Sequence, residues 1–293
     1  MRRRAHPRAL AALLGAAALA LAVTGCASGG GAPASTPQPQ AQAATPSPTP
    51  TPDPFPREPL TSSTRYVALG DSFAAGMGAG DETGKCRLSN YSYPADFAKA
   101  SGVDFVVNAA CAGATTSDLL KHQLIALDDR TDLVTVSIGG NDLGVAAVAS
   151  DCAAGKAVAC RNGVSSALSL LNVLPDRLAT VYSAIAQAAP NARIVVTGYA
   201  LMYDNTDTGS PDFGTATAIN AATIGLNQTI KDAVDKQRAK GAPMKYVGVD
   251  FLGHGIGTKK PWLNVSGEDA FHPTAAGYRE YAKELTRLLG SAQ

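Results

Sequence analysis

The stretch RYVALGDSFAAG, residues 65–76, joins a short β-rich apolar run to a glycine-bounded turn that carries a serine. Comparable runs recur at residues 103–108 (VDFVVN), 133–138 (LVTVSI), 192–197 (ARIVVT) and 245–249 (KYVGV). Between them lie helical patterns at residues 93–100, 168–189 (broken at Pro175), 217–240 and 274–289. The third of these carries Ile219, Thr223, Leu226, Ile230 and Val234 at three- to four-residue spacing. Near-continuous apolar strands alternating with helices predict a parallel sheet covered on both faces. The fold class is therefore α/β: a three-layer α/β/α sandwich around a central, mainly parallel, five-stranded sheet. No internal repeat is visible.

Working outward toward the N-terminus, residues 44–56 read ATPSPTPTPDPFP and alternate proline with small polar residues. Such a segment has little to bury and stays extended. The first residues are MRRRAHPR, followed by an apolar run from Ala9 to Val23 that is short for a bilayer span and has the pattern of a signal peptide. The run ends in Val23-Thr24-Gly25-Cys26, which resembles a bacterial lipobox and implies cleavage before Cys26 and lipidation of its thiol. The expected organisation is a signal peptide over 1–25, a lipidated cysteine and disordered tether over 26–64, and one domain over 65–293. That places the domain outside the cell, anchored to the membrane through Cys26.

The formal net charge is +1, and without the four arginines among the first eight residues 21 basic side chains face 24 acidic ones. No basic stripe is present, so nucleic acid is excluded as a partner. Beyond Cys26 the chain has Cys86, Cys111, Cys152 and Cys160. An even number in an exported chain favours two disulfides. Of the three pairings, Cys152 with Cys160 closes one short loop and leaves Cys86 with Cys111. There is no CxxC and no neighbouring histidine pair, so no metal or other cofactor is expected.

Ser72 follows the first strand, and ligands of open α/β sheets bind at the carboxyl ends of strands. A serine hydroxyl needs a base to become a nucleophile. Of the four histidines, His6 lies in the signal peptide, His122 lies in the polar-flanked helix SDLLKHQL, and His254 lies in the loop FLGHGIG. Only His272, in Asp269-Ala-Phe-His272-Pro273, has a carboxylate three residues before it and a helix-starting proline after it. Asp71 and Asp142 are expected to cap or brace their loops. The pattern G-x-S-x-G fails because Ala74 stands where its second glycine should be.

Four segments taken together, Gly70-Asp71-Ser72, Asn108-Ala-Ala-Cys-Ala-Gly113, Gly139-Gly140-Asn141-Asp142 and Asp269-Ala-Phe-His272, resemble the SGNH (GDSL-type) hydrolase family from about Arg65 to the end. The resemblance implies Ser72 as nucleophile and His272 as general base, oriented by Asp269. It implies an oxyanion hole made by the main-chain N–H groups of Ser72 and Gly113 and the side-chain amide of Asn141. YVALGDSFAAG, the SYPADFA and NAACAGA segments, the Cys152–Cys160 loop and PWLN resemble secreted actinobacterial esterases, lipases and phospholipases within that family. That likeness supports the two disulfides above. Many such relatives have a third disulfide between about residues 200 and 260, where this chain has no cysteine, so that region is expected to be looser or held by packing.

The activity implied is hydrolysis of carboxylic esters, acyl esters or phospholipids, through a Ser-His-Asp triad and an acyl-enzyme, by a monomer without cofactor. Deacetylation of surface polysaccharide or peptidoglycan is the same-chemistry alternative. A non-catalytic glycan- or lipid-binding lipoprotein is the alternative from another class. The apolar run LGVAAVA, residues 143–149, is a candidate acyl-pocket wall, and Phe73, Met77 and Trp262 are candidate rim residues.

Overall fold

The apolar run that opens the domain becomes β1 (Arg65–Gly70), all but its first residue buried. In a computed structural model that describes residues 53–56, 58–204 and 213–291, four more strands join it: β2 (Asp104–Asn108), β3 (Leu133–Ser137), β4 (Arg193–Thr197) and β5 (Met244–Val247). They form one sheet in the order β2-β1-β3-β4-β5, with every neighbouring pair parallel. β3 and β4 are buried along their whole length, as strands covered on both faces must be. The sequence-based fold class is correct.

The helices are α1 (Ser72–Ala75), α2 (Tyr93–Ser101), α3 (Thr116–His122), α4 (Val145–Ala153), α5 (Ala157–Leu170), α6 (Leu174–Ala188), α7 (Phe213–Arg238) and α8 (Ala275–Leu289). α2 packs on α8, while α3, α6, α7 and α5 pack in succession. One boundary differs from expectation. The first of the two helices in the region assigned to residues 168–189 begins at Ala157 rather than Leu168. The break and restart expected at Pro175 is present: α5 ends at Leu170, and Pro175 occupies the first turn of α6, where its missing N–H costs nothing.

A second difference is the start of the domain. Phe55 is 4% exposed and Leu60 is fully buried, and both belong to the main core. Asp53 pairs with Arg238 at 3.0 Å, the ammonium of Lys245 lies 4.7 Å from the centre of the Phe55 ring, and Arg193 donates to the Glu58 carbonyl at 2.7 Å. The folded unit therefore includes residues from Asp53 onward, rather than beginning at Arg65. A proline-rich segment cannot build a core, yet single large apolar side chains on it are buried by a core already present. The signal peptide, Cys26 and the tether before Asp53 lie outside the described residues.

The chain moves from β1 to β2 on one side, then crosses to β3 on the other. Where strand order reverses, the loops leaving adjacent strands part and open a crevice at their carboxyl ends. The segments containing Ser72 and Asn141 leave the two strands that flank that crevice, β1 and β3, and the segment containing Gly113 follows β2.

Candidate active site

At the end of β1 the backbone turns sharply. Gly70 has φ +137°, and a Cβ there would lie 2.3 Å from the Ser137 carbonyl oxygen on β3, so only glycine fits. The buried amide of Gln123 clamps this residue from both sides, accepting from Gly70 N at 2.7 Å and donating to Gly70 O at 2.8 Å. Asp71 then caps α1 by accepting from Phe73 N at 3.0 Å. The turn sets Ser72 at the start of α1, almost buried and facing the crevice.

His272, 200 residues downstream, reaches the same point: its Nε2 lies 2.8 Å from Ser72 Oγ. Burial pushes the imidazole below its ordinary pKa of 6.5, opposed by the nearby carbonyls of Asp269 and Ala270 and the Asp269 charge. The ring therefore stays neutral, the form able to take a proton, to lower pH than a free imidazole. Asn264, in the PWLN segment, supports it. The Asn264 main-chain N–H donates to His272 O at 2.9 Å, and its Nδ2 donates to both His272 O and Gly78 O at 3.0 Å. The histidine loop is thereby tied to the serine loop.

Asp269 does not take the place assigned to it. Its Oδ1 accepts from Arg87 Nη2 at 2.7 Å, and the same guanidinium pairs with Glu82 at 3.0 Å and Glu268 at 3.6 Å. Among the described residues no side chain reaches the buried Nδ1 of His272, and the groups acting on that side of the ring are the main-chain carbonyls of Asp269 and Ala270. The carboxylate of Asp269 is bonded to Arg87 rather than to the imidazole: a guanidinium, always charged, competes for it better than a neutral imidazole does. Asp269→Asn is expected to lower kcat by no more than about tenfold, against the roughly 10⁴-fold loss of a triad acid. Steady-state kinetics with a p-nitrophenyl ester decide between the two.

The remaining expected groups border the same cavity, which encloses about 500 Å³. Asn141 donates through Nδ2 to the Ala114 carbonyl at 3.1 Å, holding its amide beside the loop that contains Gly113. Gly113 has open space where a Cβ would be, and its φ of +81° is what requires glycine, rather than close approach. Asp142 braces this loop by accepting from Thr116 N at 2.9 Å and Thr116 Oγ1 at 2.6 Å. A link between the β1 and β3 loops escaped the sequence reading. Tyr199 Oη donates to Asp71 Oδ2 at 2.5 Å and accepts from Gly140 N at 3.1 Å. Burial raises the Asp71 carboxyl to about 7, against the pull of the Tyr199 hydroxyl. Nothing in the sequence around Tyr199 marked this role.

The cavity runs from Ser72 between α4, α5 and α7, and its walls are mainly apolar: Leu143, Val145, Val148, Val164, Ile219 and Leu226 contribute. LGVAAVA thus lines it, as do Phe73 and Met77. Trp262 does not; it stacks 3.7 Å over His254, whose Nδ1 bonds to the Lys260 carbonyl at 2.9 Å. His254 has a structural part in its loop. Both expected disulfides are formed, Cys86–Cys111 beside the Gly113 loop and Cys152–Cys160 between α4 and α5. Among the described residues between 200 and 260, hydrogen bonds tie the segments together: Asn220 bonds to the backbone of Met202 and Tyr203, and Ile256 N donates to Met202 O at 2.8 Å.

Residues 68–280 match the model of the GDSL-like lipase/acylhydrolase family. Lipase 1 of Streptomyces coelicolor is 37% identical over 224 residues, covering 72% of this chain and 81% of that one. A lipase of Streptomyces rimosus is 38% identical over 231 residues, covering 75% and 84%. Among solved structures, the extracellular lipase of S. rimosus (36% identity) and phospholipase A1 of Streptomyces albidoflavus (37%) each superpose with a TM-score of 0.69. Each match covers 77% of this chain and 99% of the other. With a serine and a histidine already in contact at the crevice of the matching sheet, the chain belongs to the GDSL-like lipase/acylhydrolase family.

Proposed function

We propose that this protein is an exported serine esterase that hydrolyses acyl esters or phospholipids with Ser72 as nucleophile and His272 as general base. The observation that carries this reading is the 2.8 Å contact between Ser72 Oγ and His272 Nε2 at the end of a largely apolar cavity of about 500 Å³. His272 Nε2 takes the hydroxyl proton as Oγ bonds to the ester carbonyl carbon. The charge that develops on the carbonyl oxygen is met by the N–H groups of Ser72 and Gly113 and by the Asn141 amide. Collapse expels the alcohol, which leaves with the proton held by His272. Water then repeats the cycle on the acyl-enzyme and releases the carboxylic acid.

The cavity favours an acyl chain over the acetyl group of a polysaccharide. Transfer of methylenes from water to an apolar wall is worth about 0.8 kcal/mol each, whereas a sugar would leave its hydroxyls unpaired there. A fluorophosphonate probe is expected to label Ser72 in the native protein and to fail after heat denaturation. Labelling at any other residue would reject the assignment.

Anchoring through a lipidated Cys26 completes the proposal, on the strength of the Val23-Thr24-Gly25-Cys26 motif and the tether behind it. With two acyl chains on its glyceryl group, such an anchor is stable. Cys26→Ser should move the protein from the membrane fraction to the medium, and continued membrane retention would count against lipidation.

A further inference from the structure

Phe271 adopts a conformation that the reaction outlined above does not call for. Its φ is 67°, in the left-handed region where a Cβ crowds the carbonyl oxygen. The other non-glycine residues with positive φ among those described are Asp81 and Arg87; a bulky aromatic residue is the least suited to this region. Strained backbone persists where the surroundings over-determine it, and it gathers at sites of function. The surroundings of Phe271 meet that condition. Its N–H donates to the Asn264 carbonyl at 2.8 Å. Its side chain is 7% exposed and belongs to a cluster with Cys160, Val164 and Ile219, and its ring centre lies 5.8 Å from that of Tyr203.

Two connections meet at this residue. Phe271 borders the apolar cavity, together with Val164 and Ile219 from the same cluster. The next residue is His272, whose carbonyl Asn264 grips twice and whose ring touches Ser72. The strained turn thus presents one side chain to the cavity and the following one to the serine. An acyl chain packed against the Phe271 ring would hold the turn in place. A short acyl group would leave that wall uncovered and the strained residue freer to relax.

We propose that Phe271 is a positioning and specificity-determining residue that ties occupancy of the acyl cavity to the placement of the His272 imidazole. The proposal rests on the esterase reading above. It requires long acyl chains to raise turnover itself, since the contact improves the geometry of the base and does more than add binding.

The test is to measure kcat and KM for p-nitrophenyl decanoate and acetate in the wild type, Phe271→Ala and Phe271→Leu, with active sites counted by fluorophosphonate titration. In Phe271→Ala the ratio of kcat on decanoate to kcat on acetate should fall by about tenfold or more, with a smaller change in KM. Phe271→Leu, which keeps most of the volume, should melt near the wild type and shift the ratio in the same direction by about threefold. If Phe271→Ala does not fold, the leucine variant alone decides by that criterion. Equal slowing on both esters would reduce Phe271 to a structural role, and a change confined to the KM of decanoate would make it a passive wall; either result overturns the proposal. Absence of Ser72-dependent hydrolysis of both esters by the wild type would instead overturn the esterase reading.

Discussion

Ser72→Ala should lower kcat on p-nitrophenyl esters by about 10⁶, His272→Ala should cost a similar factor, and the double variant should be no slower than either single one. The argument is geometric. Oγ and Nε2 stand 2.8 Å apart, so the proton moves as the carbon–oxygen bond forms, and neither group retains a function once the other is gone. Residual hydrolysis would come from binding and the oxyanion donors alone. Because burial depresses the His272 pKa below its ordinary 6.5, the acid limb of wild-type kcat/KM should lie below that pH. The sign follows from the role: the base works when neutral, and a lowered pKa extends the neutral form toward acid. Losses that multiply in the double variant would show that the two side chains do not act as a unit. That would remove the basis for assigning them to one proton transfer.

Asn141→Ala should lower kcat by about 10²–10³ while KM moves little. The ester carbonyl carries little charge in the bound substrate and much in the tetrahedral intermediate, so a donor aimed at it favours the transition state over the ground state. Asn141 is suited to this because its Nδ2 is anchored to the Ala114 carbonyl at 3.1 Å and the residue before it is fastened through Tyr199 to Asp71. The donor is therefore oriented before substrate arrives. A variant with unchanged kcat and a raised KM would assign Asn141 to substrate binding instead.

Much of the site was legible because the groups concerned are local in the chain. Ser72, Gly113 and Asn141 lie in the segments that leave β1, β2 and β3, and parallel strands bring their carboxyl ends to one side. His272 stood out by elimination among four histidines. The supporting residues were not legible. Gln123, Tyr199 and Asn264 act through contacts spanning 53, 128 and 186 positions. Their neighbours in sequence contain no pattern that announces such a contact.

The alternation of apolar strands with helices by itself determined the layered α/β fold, because strands separated by helices are most readily buried in a parallel sheet that those helices cover. Only the tertiary structure decided what Asp269 does. Three residues from His272, it is within reach of the imidazole, yet Arg87, 182 residues away, lies 2.7 Å from its carboxylate. Which partner a carboxylate takes depends on the charge and distance of every group the fold brings near it. The same holds for Phe55 and Leu60, which look like parts of a tether until a finished core offers them somewhere to be buried.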